Sequence, residues 1–143
     1  MSTTVRQMLA GRNLIVSVSP STTVFEALQR MAEHNIGAVL VMDGPRLAGI
    51  FSERDYARKV VLKGLTSKTT PVGDLMTSKV VTVDAGWIAE QCMALMTEHH
   101  IRHLPVVDGD RVVGVISIGD AVKAVVEEQR YEIGQLVSYI TRT

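Results

Sequence analysis

The sequence has a single cysteine, no net charge and no long apolar run, and each absence excludes a class of protein. Cys92 stands alone, which excludes an intrachain disulfide and a zinc site built from several cysteines. Fifteen basic and fifteen acidic residues cancel, so the chain offers no overall charge for nucleic acid or a membrane surface. The apolar runs are too short to span a bilayer, and the first residues lack the apolar stretch of a signal peptide. We therefore expect a cytoplasmic protein that binds neither nucleic acid nor membrane.

Patterns typical of catalysis and metal binding are also missing from the sequence. It contains no Walker loop in a suitable context and no recognisable nucleophile–base pair, so it predicts no active site, no catalytic residue and no catalytic cofactor. His99, His100 and His103 have no spacing that would aim all three at one ion, so we predict no metal site. Cys92 follows the apolar spacing of a helix, which favours a small core residue over a reactive thiol.

What the sequence does contain is an internal repeat. Residues 33–55 recur without a gap as residues 98–120, so that Ile36 pairs with Ile101 and Asp55 with Asp120. Each half alone would form only a marginal core, so we expect the halves to pack together. We divide the chain into a first repeat, 1–63, a polar tether, 64–70, a second repeat, 71–129, and an extension, 130–143.

The same order of elements fits both copies: strand, helix, strand, strand, helix. Apolar spacing predicts a helix that begins after Thr22 and ends near Asn35, and a matching helix that carries Cys92 and Met96. Turn residues at Asp43 and Asp108 predict a hairpin in each copy. The fold class is therefore α/β in the mixed, α+β sense. The predicted strands are 14–18, 38–42 and 47–51 in the first copy and 80–83, 104–107 and 112–116 in the second.

The second copy continues into a C-terminal extension that the first copy lacks. Apolar residues from Val122 to Ile140 recur at helical spacing, while Glu127, Glu128 and Arg130 lie off the apolar stripe. Such a stripe packs either on the chain's own core or on a second subunit. Gly134 is the position at which this helix could break.

The sequence around the end of each repeat resembles a known family. Residues 101–108 (IRHLPVVD) and 114–120 (GVISIGD), with their counterpart 49–55 (GIFSERD), resemble a tandem pair of cystathionine-β-synthase (CBS) domains, also called a Bateman module. The chain is similar to the stand-alone class of these proteins, in which no enzyme, channel or transporter domain is attached. The resemblance implies two β-α-β-β-α repeats packed by pseudo-twofold symmetry, with an extended C-terminal helix. It also implies a regulatory, non-enzymatic module that binds adenine nucleotides, and favours a homodimer.

The Ser-x-x-Asp that ends each copy has two compatible interpretations. It can be a helix capping box, which would be purely structural. By resemblance, Asp55 and Asp120 instead accept hydrogen bonds from ribose hydroxyls, while Ser52, Ser117 and nearby backbone N–H groups hold phosphate oxygens. The resemblance further implies that the other repeat supplies the wall against the base. Asp55 would face Val80, Val81, Ile101, Arg102 and His103; Asp120 would face Ile15, Val16, Ile36, Gly37 and Ala38.

The two implied sites differ in charge. Arg54 beside Asp55 corresponds to Gly119 in the second copy, and Arg102 and His103 correspond to Gly37 and Ala38. We therefore expect the Asp55 site to prefer the ligand with more phosphate. The sequence does not choose among AMP, ADP, ATP, NAD and S-adenosylmethionine, and it does not identify the regulated protein. A scaffold module with vestigial clefts and, more weakly, a small nucleotide hydrolase are the alternatives.

Overall fold

A computed structural model of the protein describes residues 2–12 and 14–142. These residues form two compact units that are not contiguous in sequence. The first unit comprises residues 14–81 and 109–112, and the second unit comprises residues 2–12, 82–108 and 113–142.

The elements occur in the predicted order, and each repeat contains one hairpin between two helices. In chain order they are α1 (Val5–Leu9), β1 (Ser17–Val18), α2 (Val24–His34), β2 (Ala38–Asp43), β3 (Arg46–Ser52), α3 (Glu53–Asp55), a π-helix (Tyr56–Val61), a 3₁₀ helix (Val72–Asp74), β4 (Val83–Asp84), α4 (Ala89–His99), β5 (His103–Asp108), β6 (Arg111–Ser117) and α5 (Ile118–Thr141).

The strands of the described residues form two three-stranded sheets, in the orders β1-β2-β3 and β4-β5-β6. β2 and β3 are antiparallel, whereas β1 runs parallel to β2 with Ser17 opposite Leu40. β4 likewise runs parallel to β5, with Val83 opposite Val106. The mixed α+β class predicted from the sequence is confirmed.

The first strand of each repeat is shorter than predicted. β2 begins at Ala38, which stands opposite residue 15 in the observed register, so the chain before that point has no strand to pair with. Leu14 and Ile15 are exposed, and Val16 is held by a single bond from the Leu40 N–H to its carbonyl, at 3.3 Å. The second copy has Pro105 in place of Leu40, and proline has no N–H to donate.

Helix α2 is amphipathic, and both of its ends are specified by sequence. The Thr23 hydroxyl caps the first turn by accepting a hydrogen bond from the Glu26 N–H at 3.2 Å, and Asn35 ends the helix in the left-handed conformation. The buried face carries Val24, Ala27 and Met31. It packs into an apolar core with residues of the sheet, the π-helix and the 3₁₀ helix: Val39, Val41, Phe51, Val60 and Val72.

Helix α4 repeats this arrangement in the second unit. Ala89, Cys92 and Met96 are buried, and His100 takes the left-handed position that Asn35 has in the first unit. Cys92 is fully buried, as predicted, and burial raises the pKa of its thiol. His34 and His99 lie in the last turns of their helices, where a positive charge would interact favourably with the helix dipole.

The segment before each repeat docks on the repeat that it does not precede. In the second unit, the Val5 N–H donates to the Trp87 carbonyl at 2.7 Å and the Ala89 N–H to the Thr3 carbonyl at 2.9 Å. In the first unit, the Val72 N–H donates to the Thr22 carbonyl at 2.7 Å. Because the N-terminal segment pairs with residues near position 88, it belongs to the second unit despite preceding the first repeat.

Helix α5 runs unbroken from Ile118 to Thr141, so Gly134 does not end it. Its first turns bury Ala121 and Ala124, whereas Ile133, Leu136 and Ile140 are all at least 60% exposed. Despite this length, none of the helices among the described residues combines the extent and apolar character that crossing a membrane requires.

Candidate functional site

Both Ser-x-x-Asp motifs form helix capping boxes. The Asp55 N–H donates to Ser52 Oγ at 3.2 Å, and Asp55 Oδ2 accepts from the Ser52 N–H at 2.9 Å. The Asp120 N–H donates to Ser117 Oγ at 3.1 Å, and Asp120 Oδ2 accepts from the Ser117 N–H at 2.8 Å. The structural interpretation of the motif is therefore confirmed in both copies. In both, the cap bonds engage Oδ2 and leave Oδ1 for other partners.

The Asp55 carboxylate is compensated by a lysine from the turn that follows it. Lys59 Nζ lies 3.2 Å from Asp55 Oδ1, and the Thr77 hydroxyl lies 3.4 Å from the same oxygen. Lys59 also donates to the Leu75 carbonyl at 3.1 Å. The Asp55 side chain is 14% exposed and that of Lys59 is 35% exposed, so the pair is partly shielded from water. Lys59 is thus held by more than its ion pair.

The Asp120 carboxylate is compensated by an arginine from the N-terminal segment. Arg12 Nη1 donates to Asp120 Oδ2 at 3.1 Å and Nη2 donates to Oδ1 at 2.5 Å, which makes the pair bidentate. Arg12 also lies 3.4 Å from the Val115 carbonyl. Burial alone would raise the pKa of Asp120, but hydrogen bonds from Arg12 and Ser117 outweigh it and lower that pKa overall. The same contact with Asp120 raises the pKa of Arg12.

Each carboxylate is therefore fixed by a backbone cap and paired with a cation whose side chain is partly exposed. A fixed carboxylate is a strong acceptor for hydroxyl donors, because a charged acceptor strengthens each hydrogen bond. The vicinal hydroxyls of a ribose could take the place of the cation at Oδ1.

The structure brings one further predicted residue to the start of each of these helices. The Glu53 N–H donates to the Gly37 carbonyl at 3.0 Å, and the Ile118 N–H donates to the Arg102 carbonyl at 2.8 Å. Gly37 thus lies beside the cap of Asp55, and Arg102 beside the cap of Asp120.

The remaining predicted residues divide between the two units. Arg54, Ile15, Val16, Ile36, Ala38, Val80 and Val81 belong to the unit of Asp55, whereas Ile101, His103 and Gly119 belong to the unit of Asp120. Arg54 and Gly119 are exposed, Ala38 is buried, and Val80 and Val81 lie in an irregular segment before β4. The pairing of each aspartate with a wall from the other repeat stays a prediction. Within residues 2–12 and 14–142, no cluster of three or more His, Cys, Asp or Glu side chains could hold a metal ion.

Sequence reasoning missed Arg12, Lys59 and Thr77 as neighbours of the two carboxylates. Lys59 could have been found, because residues four apart on a helix meet on one face. The sequence gives a weaker indication for Arg12. It follows α1 at the position where Lys79 follows the corresponding 3₁₀ helix, so both copies carry a basic residue there. That pattern gives no indication of which carboxylate the base reaches.

Comparisons with known proteins agree with the fold and the repeat. The profile of the CBS domain family matches residues 12–62 and 72–127. A solved structure of a protein with CBS domains from Burkholderia ambifaria MC40-6 is 50% identical, with a TM-score of 0.85, and the match covers 89% of this chain and 96% of that one. A CBS domain protein from Pyrobaculum aerophilum, solved in complex with AMP, is 26% identical with a TM-score of 0.73, covering 82% and 88% of the two chains.

Among curated proteins, CBSX3 of Arabidopsis thaliana, a CBS domain-containing mitochondrial protein, is 45% identical over 82% of this chain. The chain spans 60% of the length of that relative. YhcV of Bacillus subtilis, another CBS domain-containing protein, is 35% identical over 74% of this chain and 75% of its own length. Because one relative is mitochondrial, the cytoplasmic location stays a prediction. With the family profile matched once in each repeat, the chain belongs to the CBS domain family as a tandem pair.

Proposed function

We propose that the protein is a regulatory module that binds an adenine nucleotide, such as AMP, ADP, ATP or NAD, through the capped carboxylates of Asp55 and Asp120. The observation that carries this proposal is the shared geometry of the two motifs. In each, the cap fixes Oδ2 of the carboxylate while a partly exposed cation lies against Oδ1. The AMP complex of the Pyrobaculum relative supports the choice of an adenine ligand.

The proposed chemistry is recognition without bond breaking. The ribose hydroxyls would donate to the carboxylate, and a flat adenine would lie against small and aliphatic residues. For Asp55 these include Val80 and Val81, half-buried residues of the same unit. No residue in this proposal acts as a nucleophile or a general base, so the module would bind its ligand and leave it unchanged.

Regulation would follow from a difference in affinity between two states of the protein. A ligand shifts a conformational equilibrium only if it binds one arrangement more tightly than the other. Ligand binding at Asp120 displaces Arg12, which connects α5 to the N-terminal segment. The two states would therefore differ in how firmly that segment is held, and a partner protein would sense the difference.

Two measurements test the proposal: one identifies a ligand that co-purifies with the protein, and the other finds added ligands that stabilise it. Native mass spectrometry of the purified protein would identify a retained adenine compound. Thermal unfolding with AMP, ADP, ATP, NAD and S-adenosylmethionine should show stabilisation by at least one of them, about 2.7 kcal/mol at a hundredfold excess over the dissociation constant. No stabilisation by any compound at millimolar concentration would contradict the proposal and favour a constitutive scaffold. Conversion of the ligand would favour a hydrolase.

We also propose that the protein is a homodimer joined through the second half of α5. Val126, Ile133 and Ile140 alternate with Gln129 and Leu136 at spacings of three and four residues. β-branched residues at one core position with leucine at the other favour a two-stranded parallel coiled coil. These apolar residues are 38 to 68% exposed in the single chain, so a second copy would remove them from water.

Sedimentation of two matched variants tests this arrangement. Leu136→Glu places a charge in the proposed seam and should convert the dimer to a monomer. Ser138→Glu places the same charge on the opposite side of the same helical turn and should leave the dimer intact. A dimer in both variants, or a monomeric parent chain, would contradict the arrangement.

A further inference from the structure

The two carboxylates have the same cap but differ in what would hold their cations after a ligand arrives. Lys59 has the Leu75 carbonyl at 3.1 Å and the Thr77 hydroxyl at 3.5 Å as well as Asp55. Arg12 has two hydrogen bonds to Asp120 and one longer bond to the Val115 carbonyl, at 3.4 Å. Replacing the cation at Oδ1 by a ribose hydroxyl therefore has different consequences at the two positions.

At Asp55, the ribose displaces a lysine that keeps its bond to Leu75. It also lies 3.5 Å from the Thr77 hydroxyl, so two protein groups of the same unit remain as its partners. Lys59 therefore needs no new anion. An uncharged ligand should bind at Asp55 about as tightly as a ligand that carries a phosphate.

At Asp120, the ribose displaces a guanidinium from a bidentate ion pair. A neutral ligand breaks this pair and supplies no anion to bind the guanidinium. A phosphate attached to the same ribose offers oxygen acceptors that match the planar fork of an arginine. The Arg12 side chain is 45% exposed and long enough to pivot from the carboxylate to a phosphate nearby.

We propose that Arg12 is a specificity-determining residue that makes the Asp120 position selective for phosphate-bearing adenine ligands. Binding is an exchange of partners: the ribose takes Asp120 while the phosphate takes Arg12. Adenosine and other uncharged adenosyl compounds are disfavoured because they leave the arginine without an anion. The inference rests on the proposed function and concerns which ligands that function admits.

This assignment differs from the one that the sequence suggests. From Arg54, Arg102 and His103, the sequence predicts the stronger phosphate preference at Asp55. Arg12 supplies the Asp120 position with a cation that the repeat comparison does not reveal. The Arg102 backbone also contacts the first residue of α5, two residues before Asp120, in the same unit.

Titration calorimetry with AMP and adenosine tests the exchange at one position at a time. Of the two motif carboxylates, Asp55→Asn leaves that of Asp120 intact, and Asp120→Asn leaves that of Asp55 intact. In the Asp55→Asn protein, AMP should bind roughly 10- to 100-fold more tightly than adenosine. Adding Arg12→Gln should reduce that ratio to within about threefold, mainly by weakening AMP binding. Adenosine should bind equally well or more tightly, because Arg12 no longer competes with the ribose for the Asp120 carboxylate.

Two further variants control for folding and for the loss of any positive charge. Arg12→Lys keeps the charge without the fork and should keep part of the AMP preference. Lys59→Gln in the Asp120→Asn protein is the matched control, and it should change the AMP to adenosine ratio by less than about threefold. Circular dichroism on every variant would confirm that its helices are intact.

The outcomes separate this inference from the function on which it rests. An AMP to adenosine ratio that Arg12→Gln leaves unchanged, or equal affinities before that substitution, would overturn the selectivity of Arg12 alone. Binding that disappears with Asp55→Asn but survives Asp120→Asn would do the same. If the unaltered chain binds neither compound and no other adenine ligand, both proposals fail.

Discussion

The two Ser-x-x-Asp motifs share one local structure but have different electrostatic partners. Ser52 and Asp55 form the same capping box as Ser117 and Asp120, with closely similar distances. Asp55 is then paired with Lys59 in the following turn, whereas Asp120 is paired with Arg12 from the N-terminal segment. The duplication has therefore preserved the cap but not the cation, since Ala124 stands in the second copy where Lys59 stands in the first.

This difference bears on how the proposed ligand binding could be transmitted. If the proposed ligand breaks the Lys59–Asp55 pair, Lys59 still holds the Leu75 carbonyl, so its link to that segment is kept. The Arg12–Asp120 pair instead joins the segment that follows α1 to the first turn of α5. Occupancy of the second motif is therefore the better candidate for a signal that travels beyond the site.

The largest expected effect is the loss of ligand affinity when a carboxylate is neutralised. Asp55→Asn and Asp120→Asn should each weaken AMP at the altered position by about 3 kcal/mol, or on the order of 100-fold, because two charge-assisted bonds are lost. Titration calorimetry would show one fewer binding event in each variant. If both variants kept the parent affinity and stoichiometry, the two motifs would be structural caps and nothing more.

A smaller effect is expected from adding one methyl group to corresponding glycines. A Cβ at Gly49 would lie 2.8 Å from the Thr77 carbonyl oxygen, which is backbone, whereas a Cβ at Gly114 would lie 2.7 Å from the end of the Leu9 side chain. Gly49→Ala should therefore destabilise the fold by about 2 kcal/mol and Gly114→Ala by less than about 1 kcal/mol, since a side chain can rotate away.

Urea unfolding of the two glycine variants measures this difference directly. Equal losses would mean that the docked segments are equally rigid in the two units. The reverse order would mean that α1 is the more firmly held of the two.

The smallest effect is the pH dependence of the Arg12–Asp120 pair. Because the pKa of Asp120 in the folded protein lies below its ordinary value of 3.8, the pair stabilises the fold above that pH and loses its contribution as the pH falls through the lowered pKa. Arg12→Gln should cost at most about 1 kcal/mol at neutral pH, since Arg12 is 45% exposed and the pair is screened.

Unfolding of Arg12→Gln and of the parent chain should be compared from pH 7 down to below 3.8. The difference between them should shrink over the acidic end of this range. A difference that stays constant would show that Arg12 acts through packing rather than through its charge.

The sequence predicts the parts of this protein that depend on short-range order. The hairpins, the helices α2 and α4 and the cap at each Ser-x-x-Asp follow from turn residues, apolar spacing and residues three apart. The short first strands do not, because their length depends on where the partner strand begins. The cation at Asp120 could not be predicted either, since it approaches from a segment that docks on the opposite repeat.

The charge balance shows the same limit in another form. Arg54, Arg102 and His103 are visible as departures from the repeat, and they favour the Asp55 site for phosphate. Arg12 lies before the region that aligns without a gap, and its contact with Asp120 is evident only in the folded chain. The physical cause is that a repeat comparison aligns positions, whereas an ion pair is decided by which positions meet in space.

The most direct test of the central claim is a crystal structure of the protein grown with AMP. The account predicts that the ribose hydroxyls lie about 3 Å from the carboxylate of Asp55, Asp120 or both, and that AMP at Asp120 has its phosphate in contact with Arg12. AMP bound away from both carboxylates, with the Lys59–Asp55 and Arg12–Asp120 pairs intact, would contradict it.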